Sequence, residues 1–182
     1  MRTTLALTEE TWKELVAALD EPRETAGFLL AGFARSATDL TLLGRTLRWV
    51  PDEQYHVRTK KQLKIGSASF VPALAAAAKD KSVPLFVHTH PNGSAAPSRR
   101  DANVDRDLRE SALRRSGQPF YASLIIAGTR RKPSFSGIVY DAEGNEGSLE
   151  RIRVLGHRIH IIGAANHTAT TVNFDAFDRC TR

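Results

Sequence analysis

The feature that most constrains this chain is a short apolar run that delivers two histidines. Leu85-Phe86-Val87 leads into His88-Thr89-His90-Pro91, and the run reads as a buried strand. Side chains at i and i+2 of a strand point to the same face, so His88 and His90 address one point in space. Pro91, Asn92 and Gly93 then break the strand. Ser98 follows as an N-cap, and Asp101 falls in the first turn of the helix it opens. A helix starting there returns one carboxylate towards the two imidazoles. Taken singly, the His pair is a hydrogen-bonded strand end and Ser-x-x-Asp a helix cap. Together they form a ligand set for a divalent metal, suited to Zn²⁺ with a fourth position left open.

The elements around this stretch read in order. Thr8 to Asp20 is a helix capped by Thr8, with Trp12, Leu15, Val16 and Leu19 on one face. Glu24 to Phe33 is a buried central strand in which Gly27 and Gly32 permit close backbone approach. Glu24 stands just before the apolar run, where a carboxylate can stay near solvent; Glu21 competes for any role given to it. Asp39 to Val50 and Glu53 to Thr59 are strands around Pro51-Asp52. Gly66 to Asp80 is an alanine-rich helix with Ser67 or Ser69 as cap. Ser98 to Ser116 is the third helix, stopped by Gly117, with an arginine-rich outer face. Tyr121 to Ala127 and Ser134 to Tyr140 pair as strands, and Arg151 to Ile162 adds a strand or a strand pair. His56, His157 and His160 have no carboxylate at ligand spacing and read as surface or edge residues.

Composition removes several alternatives. The chain has 182 residues, 41% of them hydrophobic, which suits one domain over residues 1–163. No stretch approaches a membrane span, and the N-terminus lacks the apolar core of a signal peptide. One cysteine, Cys180, excludes an internal disulfide and a cysteine-rich zinc site. The expected compartment is therefore the cytoplasm. The net charge is +6, but the basic residues are scattered, with no long basic tract and no helix-turn-helix signature. That speaks against nucleic acid as the partner. Residues 164–182 read as a polar tail or linker.

His88-x-His90, seven residues, Ser98, two residues, Asp101 resembles the signature of the JAMM (MPN+, or JAB domain) metalloprotease family. Glu24-Thr-Ala-Gly27-Phe-Leu-Leu-Ala-Gly32 is similar to that family's first strand with its preceding glutamate. The resemblance implies an α/β chain of the α+β type. The fold would be cytidine-deaminase-like, a mixed curved sheet flanked by about three helices. It implies that His88, His90 and Asp101 bind one Zn²⁺. Glu24 would deprotonate the attacking water and hand the proton to the leaving amine, and Ser98 would steady the oxyanion. Active members cut peptide or isopeptide bonds after the C-terminal glycine of a ubiquitin-like protein. The implied partners are such a protein, its conjugates, and homologues of ubiquitin-activating and conjugating enzymes. The chain is most similar to bacterial JAB domains of ubiquitin-like conjugation and antiphage systems. Segments 53–59 and 92–97 are the candidate sheet edges for an extended substrate tail. Phe174-Asp-Ala-Phe177-Asp178-Arg179 resembles the opening of a ThiF-like adenylyltransferase domain, which would lie beyond residue 182. Two alternatives come with the family: a non-catalytic MPN scaffold and a RadC-like DNA-associated protein.

Overall fold

The computed structural model describes residues 1–165. The expected polar tail, the ThiF-like match and Cys180 lie at or beyond its limit, outside the described residues apart from Ala164 and Ala165. Ten strands and three α-helices are described. In chain order they are β1 (Arg2–Thr8), α1 (Glu9–Ala17), β2 (Ala26–Arg35), β3 (Asp39–Trp49), β4 (Tyr55–Arg58) and β5 (Leu63–Ile65). Then come α2 (Ser67–Lys79), β6 (Val83–Pro91), α3 (Arg99–Ser116), β7 (Phe120–Thr129), β8 (Lys132–Asp141), β9 (Glu146–Leu155) and β10 (Ile159–Gly163).

The main sheet runs β1-β3-β2-β6-β7-β8-β9-β10, and β1 also pairs with β9. That last pairing is parallel and extends from Thr3–Leu149 to Thr8–Leu155. The sheet therefore closes on itself into a seven-stranded barrel, with β10 as an extra strand on β9. This corrects the expectation of a mixed curved sheet flanked by helices: the class is α+β, but the sheet has joined its own edge. The reason lies in β9. Its first residues pair with β8 and its later ones with β10, both on one side, which leaves the other side free for β1. Unpaired strand edges carry unsatisfied N–H and C=O groups, and closure removes them.

Strand alternation then decides what is inside. Leu5 and Leu7 of β1, Leu29 of β2, Leu40 and Leu42 of β3, Val83, Leu85 and Val87 of β6, Leu124 and Ile126 of β7, and Ile152 and Val154 of β9 share one apolar cluster. Leu15 and Leu19, on α1 and the 3-10 turn after it, join that cluster and plug one end of the barrel. Thr8 caps α1 as expected, its Oγ1 accepting the Thr11 N–H at 3.2 Å. The opposite face of β2, β6 and β7 carries Ala26, Phe28, Phe86 and Tyr121. These pack with Ala73 and Leu74 of α2 and Leu108 and Ala112 of α3 in a second cluster. β6 thus lies between a barrel interior and a two-helix layer.

Three local expectations change. The cap of α2 is Gly66, with no side-chain cap from Ser67 or Ser69. Glu53 to Thr59 yields a 3-10 turn and the short β4, which pairs with β5 in a separate two-stranded sheet. Residues 92–97 form turn and loop, not a strand edge, because the Ser136 hydroxyl donates to the Ala95 carbonyl and Asn92 N–H reaches Gly128 O at 2.7 Å. Gly27 does allow close approach: a Cβ there would stand 2.8 Å from Arg48 O.

Candidate metal centre

The site sits where β6 ends against the start of α3. Even-numbered residues of β6 face the helical layer, so Phe86, His88 and His90 follow one another along that face. The His88 ring stacks on Phe86 at 5.5 Å between centroids, and the His90 ring lies 5.0 Å from His88. Opposite His88 in the register stands Ala26, whose small side chain leaves room for the imidazole. Ser98 caps α3 in a reciprocal box: its Oγ accepts the Asp101 N–H at 3.2 Å, and its own N–H donates to Asp101 Oδ2 at 2.7 Å. The cap does two things at once. It starts the helix and it fixes the rotamer that turns Asp101 towards the histidines.

His88 Nε2 lies 3.5 Å from Asp101 Oδ1, and His90 Nε2 lies 3.5 Å from Asp101 Oδ2. The candidate ligand atoms of His88, His90 and Asp101 all fall within 4.8 Å of one another. For tetrahedral Zn²⁺ with bonds of about 2.0–2.1 Å, neighbouring ligand atoms stand about 3.3 Å apart. Each His–Asp spacing, one to Oδ1 and the other to Oδ2, is close to that edge length and too long for a good hydrogen bond. His88 is buried, and both its ring nitrogens lack a hydrogen-bond partner. A buried polar atom left unpaired costs about 1–3 kcal/mol. An ion between the three side chains would remove that penalty at Nε2. His90 is oriented from behind, its Nδ1 2.8 Å from the Ser94 carbonyl, which leaves Nε2 with a free lone pair. Burial of the Asp101 carboxyl works to raise its pKa. The facing His88 ring and Ser98 outweigh it and hold the group well below the usual carboxylate range. Asp101 is therefore an anion across the physiological range, as a metal ligand must be.

Glu24 and Glu21, which the sequence left in competition, separate clearly. Glu24 is buried just before β2, and its N–H donates to Thr59 O at 2.9 Å. With Ala26 opposite His88 and antiparallel pairing, Glu24 lies level with His90 on the same face. It lines a cavity of about 200 Å³ together with His90, Ser98 and Asp101. Burial raises its pKa, partly offset by the fields of His90 and His88. Glu21 instead forms an ion pair with Arg23 at 2.8 Å, and that bond holds its carboxyl far below the ordinary value. His56, His157 and His160 are exposed and outside the group. Sequence reading missed two parts of the site. The Ser94 carbonyl behind His90 carries no side-chain signal. The loop at residues 60–62, which walls the cavity, lies between strands too short to announce it.

Fold and site together define a closed α+β barrel with a two-histidine, one-aspartate group able to hold a divalent metal. A family model of prokaryotic homologs of the JAB domain matches residues 8–137, well over half of the chain, and the chain belongs to that family. The family includes metalloisopeptidases. No curated protein matches significantly. Among solved structures, the chain is similar to protein DSY2949 from Desulfitobacterium hafniense, known from a solution structure. The TM-score is 0.54 at 21% identity, covering 84% of this chain and 94% of that one. That likeness concerns the fold alone. No helix among the described residues is long and apolar enough to cross a membrane.

Proposed function

We propose that this chain is a zinc-dependent peptidase or isopeptidase that cleaves after the C-terminus of a ubiquitin-like protein. The observation that carries the reading is a complete three-ligand group with a buried carboxylate, Glu24, on the same face. A scaffold has no use for an unpaired buried imidazole. Bound there, Zn²⁺ would supply Lewis acidity, lowering the pKa of a coordinated water towards about 7 and polarising the scissile carbonyl. The rest of the chemistry falls to the chain. Glu24 takes the proton of the attacking water and returns it to the leaving amine. Its raised pKa brings it closer to neutrality, as that exchange needs. The Ser98 hydroxyl already accepts the Asp101 N–H, so its own hydrogen is free to donate to the developing oxyanion. A substrate tail would enter extended beside β4, whose Arg58 donates to the Glu24 carbonyl.

A bacterial ubiquitin-like conjugation or antiphage system is the setting this reading favours, with activating and conjugating enzyme homologues as partners. The test is a small ubiquitin-like protein fused through its C-terminal glycine to a reporter. The purified chain should contain about one zinc, release the reporter, and lose release with Glu24→Ala while keeping the metal. Cleavage that survives Glu24→Ala, or a chain that binds no zinc, would sink the proposal.

A further inference from the structure

The cavity that holds Glu24 and Asp101 is also lined by Lys60, Lys61 and Arg100. All three cations are exposed, and none has a direct ion pair among the described residues. Among the described residues, Glu24 and Asp101 are the only carboxylates in the lining. Two negative charges thus face three positive ones, and a divalent ion would widen the surplus. The two walls are fixed in place. Arg58 Nε donates to Glu24 O at 3.0 Å and its terminal nitrogen to Thr25 Oγ1 at 2.7 Å, so the β4–β5 connection carrying both lysines is tied to the Glu24 strand. Arg100 sits in the first turn of α3, one residue before Asp101, and its field reaches Glu24. Unpaired cations near a helix N-terminus gain nothing from the helix dipole, which favours anions there. Arg100 is therefore not placed to stabilise its own helix.

From this we infer that Lys60, Lys61 and Arg100 select a peptide segment bearing acidic side chains next to the bond to be cut. The inference rests on the peptidase reading and names its specificity. Exposed ion pairs are each weak, and several together steer and discriminate. The expected preference for an acidic over a basic segment is about five- to tenfold at low salt, fading as ionic strength rises.

The probes are three fluorescein-labelled octapeptides ending in Gly-Gly, with paired Glu, Ala or Lys before the glycines. Their binding to zinc-loaded Glu24→Gln protein is followed by anisotropy at about 50 and about 500 mM salt. The Glu peptide should bind tightest and the Lys peptide weakest, with the gap closing in high salt. Lys60→Glu/Lys61→Glu should reverse the order, whereas Arg114→Glu/Arg115→Glu at the far end of α3 should leave it unchanged. Thermal melts confirm that each variant is folded, and the salt response of the parent protein stands without them. Equal affinity for the three peptides, or no binding of any, overturns the inference. Charge-ordered binding with no cleavage of a reporter fusion by the wild type keeps the acidic selectivity and removes the peptidase reading instead.

Discussion

At the scale of single residues, the site stores destabilisation in polar groups that the fold alone does not satisfy. His88 is the clearest case, buried with both nitrogens unpaired. In chelated protein, His88→Leu is expected to stabilise by about 1 kcal/mol, because it removes orphaned atoms while keeping bulk. The same change should abolish zinc binding. Urea titration in EDTA and metal analysis check the two halves; a loss of stability would contradict them. Glu24 gives a second test with a defined sign. Its pKa in the fold is raised by burial above the unfolded value. The folded state then holds the proton more tightly, so stability is lost as pH rises through the folded pKa. Glu24→Gln is spared that loss. Its melting temperature in EDTA should exceed the wild type's at pH 7, and the difference should vanish below the ordinary glutamate pKa.

At the scale of elements, α3 was the most legible part of the chain and β1 the least. Ser98, Asp101 and Gly117 each carry a local signal, and the structure uses all three: a capping box at one end and a left-handed stop with φ 63° at the other. Of its apolar residues, Leu108 is buried, and Val104 and Leu113 pack half-buried against the second cluster. The His-x-His spacing was equally legible because strand parity is a local rule. β1 was missed because Thr3 to Leu7 is buried on both faces, so Leu5 and Leu7 are the only apolar alternation that Arg2–Thr8 shows. β5 has three residues, too few for any period. Closure itself could not be read, since pairing β1 with β9 joins residues far apart and leaves no local mark. The double duty of Ser98 yields a prediction at this scale. Ser98→Gly should keep the helix, costing only a few tenths of a kcal/mol as glycine caps well. It should still lower kcat by about a hundredfold, as loss of an oxyanion donor does. Calorimetry beside steady-state kinetics separates the two; a normal rate would reduce Ser98 to a cap.

At the scale of the whole molecule, the barrel makes stability a shared property of distant segments. Leu5 pairs with Leu42 of β3 on one side and Ile152 of β9 on the other. Leu5→Pro would remove a ladder hydrogen bond in a strand with no free edge. Cooperative thermal unfolding should be lost, or its midpoint lowered by about 6–12 °C, on the scale of about 2–4 °C per kcal/mol for a domain of this size and about 3 kcal/mol for the proline. Differential scanning calorimetry decides this. A mild effect would mean that β1 is dispensable and the sheet effectively open.

The strand that welcomes β1 is the ninth of the ten described. While the chain is still being synthesised, β2, β6 and α3 exist before β9 has emerged. The histidines and Asp101 can therefore meet on a half-finished sheet whose two free margins stay exposed. Translation must pass residue 155 before those margins can find each other. Barrel closure therefore waits on a long-range encounter, the kind of contact that slows folding.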